Sequence, residues 1–365
     1  MPALEVAGRC GRVRQRFDGI EALLVSDLTN IRWLTGFTGS NGWVLLTRHD
    51  VVLVTDGRYG DQATAQLADA GVNGRVAVGH SGGEILDLLA AEVRGFETLG
   101  FEAAHVTYQQ FQRYQNLFES SLVPVAGLIE AERRRKDAGE IARMAEACRI
   151  ADVALSEVQL PGHTEAEVRN QLEIRMRELG ADGPSYETIV ATGPINAARP
   201  HHRPTDTMIE AGHTVIIDVG ALYEGYHSDM TRTFFVGEPT AEQLELYEVV
   251  LAAQCAGVAA VEAGISSSEL DGVCRDLIIT AGYGPWFSHG TGHGVGLLIH
   301  EDPFINRTGD LKLQVGDVVT VEPGVYREGF GGIRVEDLVV VTENGCRVLT
   351  ASPKDSPCPP SPPTT

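Results

Sequence analysis

Two separated stretches of this sequence run through the same order of features, and that repeat narrows the folds open to the chain. Gly162-His-Thr-Glu-Ala-Glu-Val168 and Gly264-Ile-Ser-Ser-Ser-Glu-Leu270 each set a hydroxyl three residues before a glutamate, Thr164 with Glu167 and Ser266 with Glu269. That is the pattern of a capping box, in which side chain and backbone satisfy each other at a helix start. Gly183-Pro184 and Gly284-Pro285 follow at matched positions. Asp218 then lies between Gly212 and Gly220 as Glu322 lies between Gly316 and Gly324. Two helix-plus-hairpin halves carrying matched acids predict an α+β domain with a pseudo-twofold repeat, its strands facing one shared site.

The residues before the repeat read differently. A short helix is expected near 12–17 and a buried strand at 22–26. The apolar runs 43–47 and 51–55 flank Arg48-His49-Asp50 like a hairpin. These predict a small α/β domain over residues 1–130. After the charged stretch 132–137, Ile141, Met144, Cys148, Ala151 and Leu155 recur at helical spacing. This helix opens a domain expected over 131–351. Residues 352–365 are rich in Pro and Ser without an apolar pattern, as in a flexible tail that plays no part in folding.

With 50 acidic against 29 basic residues, the net charge is −21, which excludes nucleic acid as a natural partner because phosphate binding needs a basic face. No run approaches the ~18 apolar residues of a membrane span, and residues 1–19 lack the apolar core of a secretory signal. The six cysteines include no C-x-x-C pair and none beside an activating base, as expected of inert thiols in a reducing cytoplasm.

Each half also offers a second acid on the strand returning from its hairpin, Asp229 in the first and Glu336 in the second. Between them runs Ser288-His-Gly-Thr-Gly-His-Gly-Val-Gly296, followed by His300. Two carboxylates ~4 Å apart repel by ~4 kcal/mol at an effective dielectric of 20. Four converging ones therefore need shared protons, cations or metals. Two divalent ions would balance four carboxylates and an imidazole would complete the shell, an oxygen-rich set suited to Mn, Co or Zn. The glycines at 290, 292, 294 and 296 lack the Lys-Ser/Thr ending of a phosphate loop, so close backbone approach explains them better. His202 and His227 are expected as surface imidazoles. Arg334 shares a sheet face with Glu336; it either orients that carboxylate, holds a substrate carboxylate or forms an ordinary salt bridge behind the site.

These residues and their spacing resemble the pita-bread metallopeptidases, which include aminopeptidase P, prolidase and methionine aminopeptidase. Asn30-Ile-Arg-Trp-Leu-Thr-Gly-Phe-Thr-Gly-Ser-Asn-Gly42 and Asp56-Gly-Arg-Tyr59 are similar to the N-terminal domain shared by creatinase, prolidase and aminopeptidase P. The likeness runs to about residue 351. It implies metal ligands at Asp218, Asp229, His293, Glu322 and Glu336, with Asp229 and Glu336 bridging two ions. Glu322, His300, His289 and His201 are the implied catalytic residues: Glu322 moves the proton, while His300 and His289 donate to the developing oxyanion. Arg334 and Tyr326 are candidates for substrate binding. His213 departs from the pattern, where relatives usually carry an acid, and is expected at a surface turn. The resemblance further implies two divalent ions, Mn first, small proline-containing peptides as substrates, and a homodimer.

Proline's tertiary amide has no N–H and a fixed φ, so its bonds need a dedicated pocket. Creatinase shares this fold but works without metal, and a binding module would have lost ligands, so the complete set argues against both; methionine aminopeptidase shares the site but lacks such an N-terminal domain. Between cleavage of longer peptides (aminopeptidase P) and of dipeptides (prolidase), the former is favoured, though the difference lies in loops and dimer contacts.

Overall fold

The computed structural model describes residues 1–355, which form two compact units: residues 3–133, and residues 134–355 with Met1–Pro2. The division falls between Arg133 and Arg134, inside the charged stretch.

In the first unit a six-stranded sheet runs in the order Arg75–Gly79, Val51–Asp56, Gly42–Thr47, Ala22–Val25, Thr98–Glu102 and Ser121–Val125. Its centre is antiparallel and its outer strands add in parallel. Every residue of Ala22–Val25 is buried, as a central strand covered on both faces requires. The hairpin forms with Leu46 opposite Val51, closed by Thr47 N donating to Asp50 O at 3.0 Å. The first helix is Arg9–Gln15, earlier than expected. It buries Arg9, Cys10 and Val13, and the left-handed turn at Gly19 (φ 65°) then redirects the chain into the sheet.

The second unit carries the repeat. In the first half, helix Ala138–Ser156, capped by Asp137 and Glu140, and helix Glu165–Glu178, capped by Thr164 and Glu167, cover the strands Ile189–Thr192, Thr214–Asp218 and Thr231–Phe235. In the second, helices Ala241–Ala260 and Ser267–Thr280, the latter capped by Ser266 and Glu269, cover a sheet ordered Glu301–Ile305, Gly292–Gly294, Val318–Val321, Asp337–Thr342 and Gly345–Val348. The correspondence extends to detail. Thr164 bridges Met208 as Ser266 bridges Lys312, and Gly180 and Gly282 end their helices at φ 103° and 90°. The fold is α+β with a pseudo-twofold repeat.

Strand parity then aims the acids. Val215 and Ile217 pack under Ala151, Val168 and Leu172 in one half, and Val319 and Val321 pack under Val250, Leu270 and Ile278 in the other. Because successive side chains alternate, Ile216 with Asp218 and Thr320 with Glu322 face away from the helices. Ile216 meets Ile189, Ala191 and Tyr326 on that inner face.

The chain from Ser352 is not free at its start, contrary to the expected tail. Ser352 O accepts from Arg232 Nη2 at 2.7 Å, and Ser352 Oγ donates to Asp152 Oδ1 at 2.6 Å. Lys354 Nζ donates to Gln254 Oε1 at 2.7 Å and to Asp337. Polar partners hold these residues where no apolar pattern signalled it; the rest of the expected tail, from 356, lies outside the described residues. Burial pushes the Cys10 thiol up to about 11 and Cys274 up to about 12, so neither offers a thiolate near neutral pH. Among the described residues no helix is long and apolar enough to cross a membrane.

Candidate active site

A cavity of about 370 Å³ is lined from both halves by Asp218, Asp229, His293, Glu322 and Glu336, together with His201, His289, His300 and Arg334. Local folding explains the convergence. Asp218 ends its strand opposite Thr231; the chain then turns through Glu224 and Gly225, both at positive φ, and returns with Asp229. Glu322 follows Val321, its N–H donating to Thr291 O at 2.8 Å beside the His293 strand. The N–H of Glu336 donates to Thr231 O at 3.1 Å, which hangs Glu336 next to Asp218's partner. A Cβ on Gly292 would stand 2.1 Å from Thr320 O, and one on Gly294 2.4 Å from Asp302 O. The backbone passes too closely for any side chain there.

His293 Nδ1 lies 3.1 Å from Gly294 O and so carries the proton. The bare Nε2 then faces Asp229 Oδ2 at 3.5 Å and Glu322 Oε1 at 3.4 Å. Asp229, His293 and Glu336 each offer an atom within 4.8 Å of the others. Glu336 Oε2 accepts from Thr231 Oγ1 at 2.7 Å, and that hydroxyl accepts from Arg334 Nε at 2.9 Å. Arg334 Nη2 donates to Asp218 Oδ2 at 2.7 Å. Burial, with neighbouring carboxylates adding, pushes Asp229 and Glu336 well above the usual carboxylate range; burial likewise raises Glu322 and lowers His289, His293 and His300. Four acids and an unprotonated ring nitrogen thus crowd around one arginine that is already committed. Such a donor set fits divalent cations, which relieve the repulsion that burial magnifies.

Several expectations change with the side chains in view. His289 is engaged at both nitrogens, Nδ1 with Gly290 O at 2.7 Å and Nε2 with Tyr326 OH at 2.9 Å. With Nδ1–H donating to the carbonyl, Nε2 accepts from Tyr326. His289 therefore has no free donor for an oxyanion. The Tyr326 hydroxyl does not present itself to substrate either, and Arg334, though it lines the cavity, gives four of its five N–H donors to the protein. Arg334 Nη1 donates to Tyr326 OH at 2.7 Å and to Pro200 O at 2.9 Å, and the Tyr326 hydroxyl stands behind the wall between its two partners. His300 stays exposed over His293, ring centroids 4.4 Å apart, and His201 is exposed on the same wall. Neither His202 nor His227 is a surface imidazole. His202 is buried against Glu165 at 2.9 Å, and His227 Nδ1 meets Ser185 Oγ at 2.8 Å. His213 is half-buried, its Nδ1 accepting from Glu210 N at 3.2 Å to close its turn.

Three residues escaped the sequence reading. Tyr186 OH donates to Asp229 Oδ1 at 2.6 Å and also reaches Asp218. The repeat held a signal for it, since Tyr186 and Phe287 stand at matched places after the two Gly-Pro pairs. Buried Glu165 accepts from Thr192 N, Asn196, His202 and Thr205, pinning the segment that carries His201. Buried Asp271 accepts from Arg275 Nε at 2.6 Å and Thr291 N at 3.0 Å, while Arg275 donates to Phe287 O and His289 O. Each half thus uses an acid on its second helix to fix a loop bearing a site histidine. Asp271→Asn leaves the Arg275 charge buried and unpaired, and is expected to lower the unfolding free energy by about 3 kcal/mol. Urea unfolding monitored by circular dichroism measures this; a loss below about 1 kcal/mol would show the pair to be dispensable.

The sequence matches Metallopeptidase family M24 over residues 142–343 and the Creatinase/Prolidase N-terminal domain over 9–134. An uncharacterized peptidase of Bacillus subtilis is 41% identical over 343 residues, covering 92% of this chain and 95% of the relative. The solved structure of a Xaa-Pro dipeptidase from Bacillus anthracis superposes with a TM-score of 0.92 at 39% identity, covering 95% of this chain and 98% of that one. An X-Pro aminopeptidase from Thermotoga maritima gives a TM-score of 0.86 at 35% identity, with 94% and 99% covered. With two acids at matched places in each half and both domain matches in register along its length, this chain belongs to metallopeptidase family M24.

Proposed function

We propose that this chain hydrolyses the bond preceding proline in small peptides. The observation that carries the reading is the convergence of four carboxylates and the bare His293 Nε2 on one cavity, in a chain similar nearly end to end to proteins named for Xaa-Pro cleavage. Asp229 and Glu336 would hold both of two divalent ions, Asp218 one of them, and His293 with Glu322 the other, Mn being the first candidate and Co or Zn the alternatives. Bound there, the ions would supply Lewis acidity and bring a water's pKa toward ~7.

The protein's own groups do the rest. Glu322 is fixed by Thr320 Oγ1 at 3.2 Å on one oxygen, which leaves the other to take a proton and pass it to the proline nitrogen. His300 and His201, exposed in the cavity, donate to the substrate carbonyls. The chain Arg334 to Tyr326 to His289 holds Asp218 in place rather than touching substrate. Ile189, Pro200, Ile299 and Phe304 give the ring an apolar wall. A homodimer in the cytoplasm is the assembly and location this reading carries with it.

Removing metal by chelation is expected to cut Xaa-Pro hydrolysis at least about a hundredfold, with Mn or Co restoring it. Full turnover in protein shown to be metal-free by elemental analysis would overturn the metal assignment. Metal-dependent cleavage without preference for proline would overturn the substrate.

A further inference from the structure

His300 is carried by a loop. After the strand Gly292–Gly294 the chain bends through residues 295–299 and enters the strand Glu301–Ile305 directly behind the histidine. The ring is exposed over His293, so the backbone of this loop decides where its donor stands. Glu301 closes the loop twice. Its backbone stands opposite Gly294 in the antiparallel pairing, and its side chain lies against Gly296, where a Cβ would stand 2.5 Å from Glu301 Oε1. Gly296 N in turn donates to Leu298 O at 3.0 Å, and Gly296 O accepts from His227 N at 3.0 Å.

Lys136 holds that carboxylate. Its Nζ donates to Glu301 Oε1 at 2.6 Å, and the two side chains are 1% and 9% exposed. The same Cβ on Gly296 would stand 3.0 Å from Lys136 Cε, so loop, carboxylate and ammonium are packed together. The main chain of Lys136 is anchored as well, its N–H donating to Gly316 O at 2.9 Å. Neither Lys136 nor Glu301 lines the cavity. A buried ion pair adds little net stability over apolar residues of its shape, because desolvation offsets the attraction. What such a pair supplies is a fixed spacing between the segments it joins.

We propose that Lys136 and Glu301 are positioning residues for the reaction: the pair sets the 295–300 loop, and with it the ring of His300, at the distance from which His300 donates to the substrate carbonyl. The proposal rests on the role given to His300 above and adds what holds that residue in place. A displacement of about 1 Å in a group that touches the reacting atoms can cost up to about a hundredfold in rate.

The test uses the metal-loaded full chain with Ala-Pro and Ala-Pro-Ala as substrates. Lys136→Met combined with Glu301→Gln removes both charges at nearly constant volume and leaves no buried charge unpaired. It is expected to lower kcat about tenfold, with KM within about threefold of the parent and the Mn-induced melting shift intact. The control is Arg134→Met with Asp317→Asn, which removes another buried pair from the same segment, Arg134 Nε to Asp317 Oδ1 at 3.0 Å, and should leave kcat unchanged. In a His300→Ala background, assayed at raised enzyme concentration, the Lys136/Glu301 replacement should change kcat less than about twofold, since residues acting through one group are not additive. Parental kcat in the Lys136/Glu301 variant would overturn the proposal. So would an equal loss in the Arg134/Asp317 control, a lost Mn melting shift, or the same tenfold fall without His300. Parental turnover in His300→Ala alone would instead remove the role of His300, and this inference with it, while the metal assignment stood.

Discussion

Glu336→Ala is expected to leave the site unable to hold metal and to cut turnover at least about a thousandfold. Glu336 is 1% exposed, its carboxylate accepting from Thr231 Oγ1 and its N–H donating to Thr231 O. Divalent ions bind through several donors at once, and a residue placed among Asp229 and His293 contributes to whatever lies between them. Stability provides a readout independent of activity. A ligand that binds only the folded chain stabilises it by RT ln(1 + [L]/Kd), about 2.7 kcal/mol at a hundred times Kd. Added Mn should therefore raise the melting temperature of the parent and leave that of Glu336→Ala unmoved. His300→Ala is the contrasting case: it should keep its metal and its melting shift while losing turnover. A His300→Ala protein found empty by elemental analysis would overturn the separation of ligands from substrate-contacting histidines.

Glu322→Gln has the second-largest expected effect, a fall in turnover of about 10²–10⁴-fold, the usual contribution of a positioned acid–base group. The amide keeps the shape, and it retains an oxygen for Thr320 Oγ1 and the backbone bond to Thr291. What it loses is the charge and the ability to take a proton. KM should change little, since the backbone geometry that places the substrate is untouched. Because metal affinity also weakens when a carboxylate is neutralised, the assay is run at saturating Mn with occupancy measured in the same samples. Turnover restored to near the parent value under those conditions would make Glu322 a ligand only, with another group moving the proton.

Both experiments concern residues the sequence had already singled out, whereas the network around them was not legible there. Arg334 shows the limit. Its parity with Glu336 is written in the sequence, yet it reaches Glu336 only through Thr231 and spends its strongest donor on Asp218, 116 positions away. His289 was expected as a donor to substrate, and the geometry instead commits both its nitrogens. The first residues of the expected tail are held by Arg232, Asp152 and Asp337, polar contacts that leave no apolar periodicity to read.

The sequence by itself determined the repeat, the capping boxes at Thr164 and Ser266, the matched places of Asp218 and Glu322, the shared face of Arg334 and Glu336, and the positions of all five candidate ligands. These are local properties: a cap is set by a three-residue offset, and which face a strand side chain takes is set by a two-residue period. Only the tertiary structure decided that Tyr186 joins Asp218 to Asp229, that Glu165 and Asp271 pin the histidine loops, and that Arg334 gives four of its five N–H donors to Asp218, Thr231, Tyr326 and Pro200. Those facts depend on which buried donors exhaust which acceptors across the packed halves. Hydrogen-bond capacity is shared among whatever neighbours the fold supplies, so no single stretch of chain records how it is spent.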